Sequence, residues 1–328
     1  MKRVVIAGAS GFIGHRLIEH YRDQGVEVLT IGRSRADAAW GDRDAILALI
    51  EGSDVLINLA GKSVNCRYTA ANRAEIFRSR LETTRELGEA VREASNPPSV
   101  WFNASTATIY RHAEDRPMTE STGELGTGFS VQVAKAWEAE LFDGELPGTR
   151  RVALRMAIVL GDGSVMVPLS NLVRFGLGGA QLDGRWFRTR SRLASGTQHV
   201  FGARGGRQRF SWVHIDDVVG AIDFLTAHGE IDGVVNVSAP HPSDNRTFMA
   251  TLRRLLGVPI GLPAPRPLLE IGSAVIRTET ELVLKSRWVL PERLTDAGYV
   301  FAYPDLGPAL RAVLGARNSQ PEPSVAAE

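Results

Sequence analysis

Short apolar runs alternate with amphipathic stretches along the first half of the chain. The runs are residues 4–7 (VVIA), 26–31 (VEVLTI), 54–61 (DVLINLAG), 100–104 (VWFNA) and 151–160 (RVALRMAIVL). Their weak polar alternation is that of strands covered on both faces. Between them the period changes to that of a helix. The stretch carrying Phe12, Ile13, Leu17, Ile18 and Tyr21 is amphipathic, and 43–50, 70–94 and 131–142 read the same way. On 70–94 the stripe is Ile76, Phe77, Leu81, Thr84, Leu87, Val91 and Ala94, and Pro97-Pro98 stops it. Strand and helix in alternation, with turns at the junctions, predict an α/β fold built on a doubly wound parallel sheet.

After Gly161 the rhythm breaks. A helix is expected over 168–175, then an irregular stretch to Gln208, strands at 213–215 and 234–237, and a helix over 216–227 between them. Helical patterns return at 248–256, 267–284 and 306–314, the last opened by Pro304-Asp305. The stretch 318–328 (NSQPEPSVAAE) has little to bury and reads as disordered. The expected organisation is a dinucleotide-binding unit over 1–165, completed by about 209–240. A smaller C-terminal substrate lobe takes 166–208 and 241–317, and 318–328 is a tail.

The chemistry is announced by the first turn. Gly8, Gly11 and Gly14 follow the first strand at a three-residue spacing, with Ser10, Phe12 and Ile13 between them and a helix beginning at once. The first glycine permits a tight turn, the second lets backbone approach a pyrophosphate, and the third lets helix and strand pack closely. The helix N-terminus offers unpaired N–H groups to the phosphates. Asn58-Leu59-Ala60-Gly61 ends another strand with small residues that let backbone lie against the adenosine side of a dinucleotide. Near the end of the second strand an NAD site carries a carboxylate for the ribose hydroxyl. This chain has Arg33 and Arg35 there instead. Guanidinium groups suit a 2′-phosphate, so NADP(H) is expected in preference to NAD(H).

Composition removes several function classes. The 328 residues are 44% hydrophobic and 23% charged with net charge +1, so no global excess of charge points to nucleic acid or an anionic membrane. No apolar run approaches the ~20 residues of a membrane span, and the start lacks the plan of a signal peptide. One cysteine, Cys66, excludes an intramolecular disulfide, and no Cys/His set has zinc spacing, so no metal site is expected. A cytoplasmic location is the default expectation.

With GASGFIG (8–14 in its glycines), NLAG (58–61), STATIY (105–110) and RFSWVHIDD (209–217) in hand, the chain resembles the extended short-chain dehydrogenase/reductases. The tail VLPERLTDAGYVFAYPDLGPAL (289–310) is similar to an atypical, epimerase-like branch of the NAD-dependent epimerase/dehydratase class with a distinctive C-terminal domain. The resemblance implies a Rossmann sheet, a bound nicotinamide dinucleotide and hydride transfer in reduction, oxidation or epimerisation. It also implies a Tyr-x-x-x-Lys dyad on the helix after the fourth strand, the tyrosine moving a proton while hydride moves. That dyad is absent. The tyrosine position falls on Ser130 and the lysine position on Ala134, and none of the five tyrosines has lysine four residues later.

By the same resemblance, Ser105 or Thr106 takes the place of a serine that bonds the substrate, and Lys135 lies one residue past the dyad lysine. Lys135 is either a substitute or a surface lysine. Arg80, where relatives carry an asparagine, either adds positive charge near the nicotinamide or decorates a helix surface. Arg209 matches a substrate-phosphate arginine. It closes a stretch, 184–215, that holds seven arginines (185, 188, 190, 192, 204, 207, 209) and no acid. Arg188, Arg190 and Arg192 alternate, so an extended backbone would put them on one face. Three readings of this stretch stay open: a site for a small anionic substrate, a solvated loop, and a single-stranded RNA contact using Trp186, Phe187, Phe201 and Phe210. For the whole chain, an NADP-dependent enzyme competes with a non-catalytic dinucleotide-dependent binding or regulatory protein. The stripes on 76–94 and 131–142 match surfaces through which related reductases pair, which leaves a homodimer open.

Overall fold

The computed structural model describes residues 1–163, 165–187, 189–194, 201–275 and 280–319. The first half runs β1 (Arg3–Ala7), α1 (Phe12–Asp23), β2 (Glu27–Gly32), β3 (Ala38–Ala39), α2 (Arg43–Ile50), β4 (Val55–Asn58), α3 (Ala70–Glu93) and β5 (Val100–Thr106). Then come α4 (Phe129–Leu141), β6 (Arg150–Met156), β7 (Ile158–Leu160), α5 (Met166–Arg174), α6 (Arg190–Ala194), β8 (Arg209–Phe210), β9 (Trp212–His214) and α7 (Ile215–Ala227). The chain ends with β10 (Gly233–Val237), β11 (Ser243–Asp244), α8 (Asn245–Leu255), α9 (Arg266–Val275), α10 (Glu281–Leu284), α11 (Glu292–Asp296) and α12 (Leu306–Ser319).

Seven strands form one sheet in the order β10-β6-β5-β4-β1-β2-β3, every neighbouring pair parallel. That is the doubly wound order, with the chain leaving β1 in one direction and returning to β4 on its other side. Period-two alternation divides each strand between two cores. Val4 and Ile6 of β1 pack with Leu17 of α1 and Ile222 of α7, whereas Val5 and Ala7 pack with Ile46 of α2 and Leu87 and Val91 of α3. The strands are mostly apolar because neither face meets water, and the polar residues within them, such as Asn58, Asn103 and Arg155, bond to other protein groups. The apolar stripes of α3 and α4 point into this packing through Leu87 and Leu141, while Ile76 and Val131 join smaller clusters nearer the loops. The outer faces carry ion pairs such as Arg78–Glu82 and Arg85–Glu140.

Three expected elements differ. The run 151–160 is two strands, because Ala157 still bonds Val237 of β10 whereas Ile158 turns to Ser211 and β7 pairs with β9. The long helix expected over 267–284 is α9 and α10, with 276–279 outside the described residues. At the end, α12 continues to Ser319, two residues into the stretch read as disordered; 320–328 lie outside the described residues. Among the described residues no helix is long and apolar enough to cross a membrane.

A third core sits beyond the sheet and joins Leu160, Met166 and Trp212 to Phe248, Leu252 and, from α12, Ala309, Leu310 and Val313. One carboxylate fastens this C-terminal part to α7. Asp217 is fully buried and accepts from the backbone N–H of Ala302 at 2.7 Å and of Tyr303 at 3.0 Å. The Tyr299 hydroxyl donates to its backbone carbonyl. Its neighbour His214 caps α7 through Nδ1 and packs on Tyr303, ring centroids 3.9 Å apart. Asp217 of the RFSWVHIDD motif is therefore a docking point for residues 299–303, while Asp216 pairs with Arg16 of α1. Asp217→Ala leaves two part-buried backbone donors without their acceptor and is expected to lower stability by roughly 2–4 kcal/mol. Urea denaturation checks this, and a change within about 0.5 kcal/mol, as at an ordinary surface site, would refute the tether.

Candidate functional site

The site begins where β1 ends. Gly8 has φ +79°, and a Cβ there would stand 2.7 Å from the backbone of Leu59 and Ala60. A Cβ on Gly14 would fall 2.6 Å from the carbonyl oxygen of Ala9. These two glycines let strand ends and helix approach within contact distance. Gly11 differs. It is the N-cap of α1 with φ −83°, and a Cβ would meet only the Gly8 carbonyl, at 3.4 Å. Its free side faces a cleft of about 370 Å³ walled by Gly8, Gly11, Phe12, Ile13 and Gly14 with Leu59 and Ile158. Ser10 is exposed at its rim. A turn with open space over the middle glycine and N–H groups at a helix start fits a pyrophosphate.

Of the other expected cofactor residues, Leu59 lines this cleft and the rest lie outside its wall. Asn58 is buried, with its amide donating to Asn103 and Thr84 and its oxygen accepting from Ala60, so it shapes the turn through Ala60. Gly61 lies against the Arg80 side chain. Arg33 and Arg35 are both exposed in the loop after β2, Arg35 at φ 51°. The acid nearest that strand end is Asp37, which curls back to accept from the Thr30 N–H and hydroxyl at 2.7 and 2.8 Å.

The residues expected to do chemistry are spread out. Ser105 is buried and donates to Glu138 at 2.6 Å; that carboxylate is gripped by Arg155 through bonds of 2.8 and 2.7 Å. Arg155 also donates to the Tyr110 hydroxyl, which donates to Asn236. Burial holds the Tyr110 phenol above its ordinary pKa. Thr106 caps the short turn at 107–109 by accepting from the Thr108 N–H. Lys135 is exposed and reaches the Gly126 carbonyl at 3.2 Å, while Ala134 is fully buried. The buried pair escaped the sequence reading. Its signal was an arginine inside an otherwise apolar strand, which demands a buried partner.

A second cluster, also missed, assembles around Ser130. Its hydroxyl donates to Glu281 of α10 at 2.8 Å and lies 3.5 Å from the hydroxyl of Tyr68, whose ring packs on Phe129. Lys285 donates to the Thr108 carbonyl at 2.7 Å and Arg287 to the Thr108 hydroxyl at 3.2 Å. Burial pushes the Lys285 ammonium down to about 8 and lowers the Arg287 guanidinium as well. Arg80 donates to the carbonyls of Lys62 and Ile76 and stacks over Trp137 at 4.8 Å, and burial lowers it to about 10. No motif joins these residues, since they come from three distant parts of the chain.

The arginine-rich stretch does not form one extended face. Arg190 and Arg192 stand in α6, and Arg188 lies outside the described residues. Arg192 pairs with Glu270, which also holds Arg266, itself bonded to Asp183. Arg185, Arg190, Arg204 and Arg207 are exposed. Arg209 stacks over Trp288 at 4.3 Å and, with Arg207, Arg246 and Asp244, lines a hollow of about 340 Å³. Among the described residues no group of His, Cys, Asp and Glu side chains is disposed to hold a metal.

Residues 4–238 match the model of the NAD dependent epimerase/dehydratase family, and 264–313 match a domain of unknown function, DUF1731. Epimerase family protein SDR39U1 of Bos taurus is 30% identical over 320 residues, covering 95% of this chain and 99% of that protein. Epimerase family protein YfhF of Bacillus subtilis (strain 168) is 28% identical over 325 residues, covering 96% and 99%. The crystal structure of human epimerase family protein SDR39U1 (isoform 2) with NADPH superposes with a TM-score of 0.80 at 28% identity, over 95% of this chain and 99% of that one. MoeE5, solved with UDP-glucose and NAD, shares the fold at a TM-score of 0.70 and 18% identity, over 97% and 99%. With its glycine turn, parallel sheet and matched C-terminal domain, the chain belongs to the NAD-dependent epimerase/dehydratase family.

Proposed function

We propose that the chain is an NADP(H)-dependent oxidoreductase of the atypical extended class, acting by hydride transfer on a small anionic substrate. The observation that carries this is the glycine-walled cleft at the strand ends, at the same edge of the sheet as the polar cluster of Tyr68, Ser130 and Lys285. The bound dinucleotide would supply or accept the hydride. Gly8, Gly11 and Gly14 would seat its pyrophosphate, Arg33 and Arg35 its 2′-phosphate, and Leu59 one face of its adenosine half. A relative of similar length crystallised with NADPH supports that choice. The substrate lobe would comprise 166–208 and 241–317, with Arg209 over Trp288 as its anion contact. A non-catalytic dinucleotide-dependent protein is the second reading, favoured by Ser130 and Ala134 where a proton-transfer dyad would stand. Turnover of any carbonyl or sugar-nucleotide substrate with NADPH separates the two.

NADPH should bind more tightly than NADH in a fluorescence titration, and Arg33→Ala should weaken NADPH selectively, roughly 10- to 100-fold. Equal affinities would defeat the 2′-phosphate reading. Gly11→Val should fold normally by circular dichroism yet lose dinucleotide binding, because its Cβ enters only the open cleft. Gly14→Val should fail to fold stably, because its Cβ enters the Ala9 backbone. A Gly11→Val protein that binds as wild type would place the cofactor elsewhere. Against sugar nucleotides, acyl-CoAs and small carboxylates screened by calorimetry, Arg209→Ala should weaken the best binder at least about tenfold while NADPH affinity holds, and Arg185→Ala should change little. If both variants match wild type against every binder, the stretch is a solvated loop.

A further inference from the structure

We propose that one face of the C-terminal part rests on a bilayer of anionic lipids, its apolar side chains entering the interface and its arginines meeting the head-group phosphates. The inference goes beyond the reading above and uses none of the residues which that reading assigns to cofactor or substrate.

The first ground is where the exposed apolar surface lies. Among the described residues, most of the exposed large apolar side chains come from two stretches, 166–194 and 258–275. Phe175 at the end of α5 is 80% exposed and Ile260 69%, and Leu262, Leu193 of α6 and Leu268 and Ile271 of α9 are exposed too. Leu268 and Ile271 stand three apart, on one side of their helix. The two stretches run side by side. The Leu262 N–H donates to the Gly176 carbonyl, the Gly179 N–H to that of Leu262, and the Ala264 N–H to that of Ala180. Arg192 bonds Glu270, which sets α6, and Leu193 with it, beside α9. Apolar residues scattered singly over a surface are ordinary, whereas a concentration of them marks a contact.

Charge is the second ground, and it identifies the partner. Arg174, Arg185 and Arg190 are exposed in the first stretch, and none is paired with an acid among the described residues. The two stretches hold two acids, Asp183 and Glu270. Both carboxylates are buried against Arg266. What meets solvent there is apolar or cationic. The net charge of +1 for the whole chain conceals this local excess. A basic side chain near an anionic leaflet contributes about 1 kcal/mol, and apolar side chains beside it add their own burial in the interface.

Relief is the third ground. Phe175 and Ile260 project rather than line a groove. A protein partner needs a matching recess for each projecting side chain, and a fluid interface accommodates them without one. Among the described residues no helix crosses a membrane, so the contact is with one leaflet.

The test is co-sedimentation of the full chain with large vesicles, at low salt and without dinucleotide. Phosphatidylcholine vesicles containing phosphatidylserine should carry the protein down. Vesicles of phosphatidylcholine alone should bind it at least about tenfold more weakly, and high salt should weaken the binding to anionic vesicles. Arg174→Glu with Arg190→Glu should lower the partition coefficient at least about tenfold. Phe175→Ser with Ile260→Ser should lower it as well. All four positions are exposed, so both variants should keep the wild-type circular dichroism spectrum. Arg22→Glu with Arg92→Glu, at exposed positions of α1 and α3, changes net charge equally and should bind as wild type. Wild type that stays in solution with anionic vesicles would overturn the proposal, as would binding that both face variants leave intact or that all three variants weaken alike. A lipid-free dimer, seen by sedimentation velocity and dissociated by Phe175→Ser with Ile260→Ser, would overturn it too, because a second copy would then cover this face.

Discussion

Backbone can touch backbone only where no side chain intervenes, and this site depends on such a contact. At Gly8 the turn after β1 lies so close to Leu59 and Ala60 that a Cβ would stand 2.7 Å from their backbone atoms. The positive φ that directs the chain there is also one that L side chains rarely adopt. Because β1 and β4 end together at this point, α1 and the turn after β4 diverge on either side and leave the cleft between them. Asn58 then completes the constraint from below, ordering the Ala60 N–H by its own oxygen while bonding Asn103 across β5. Loss of either feature would separate the two strand ends and open the cleft.

Charge buried among these strand ends is stable only as a closed set of partners. Removing one member of a buried ion pair costs about 3–5 kcal/mol, because the other remains charged away from water. Arg155 and Glu138 meet this requirement through two bonds, and they draw in Ser105 and Tyr110. The serine that resembles a substrate contact by position thus belongs to a network that ties β5 to α4 and β6. A similar closure binds Asp183, Arg266, Glu270 and Arg192 in the C-terminal part. Part of the positive charge that looks unbalanced along 184–215 is balanced there by acids from outside that stretch.

The sheet was legible because its signals are local. Four to six apolar residues, a glycine turn and an amphipathic helix repeat within thirty residues, and each unit can be read without its neighbours. Asp217 and His214 could be recognised as a strand-to-helix junction, though not as the anchor of residues 299–303, since the anchored segment lies more than eighty positions on. Boundaries failed where tertiary pairing overrode pattern. Ala157 reads as the middle of one strand, and the strand breaks after it because Ile158 changes partner from β10 to the segment leading into β9. Alternating arginines at 188–192 suggested an extended face, yet alternation of charge is compatible with a helical turn, and Arg190 and Arg192 adopt one.

The polar cluster was illegible for a deeper reason. Ser130 and Glu281 are 151 residues apart, and Ser130 and Tyr68 are 62 apart. Spacing within a motif constrains residues on one helix or strand, whereas Tyr68 meets Ser130 through packing on α4 and Glu281 joins them only because the C-terminal segment folds back. Met118 marks the path: its N–H and carbonyl bond Trp288 and Leu290, clamping that segment beside the loop after β5. The matched domain at 264–313 is thereby fastened beside that loop. It brings a carboxyl, an ammonium and a guanidinium to Ser130 and Thr108, at the edge of the sheet where the glycine-walled cleft also lies. A chain that has no dyad on α4 thus has polar groups delivered to Ser130 from two other segments.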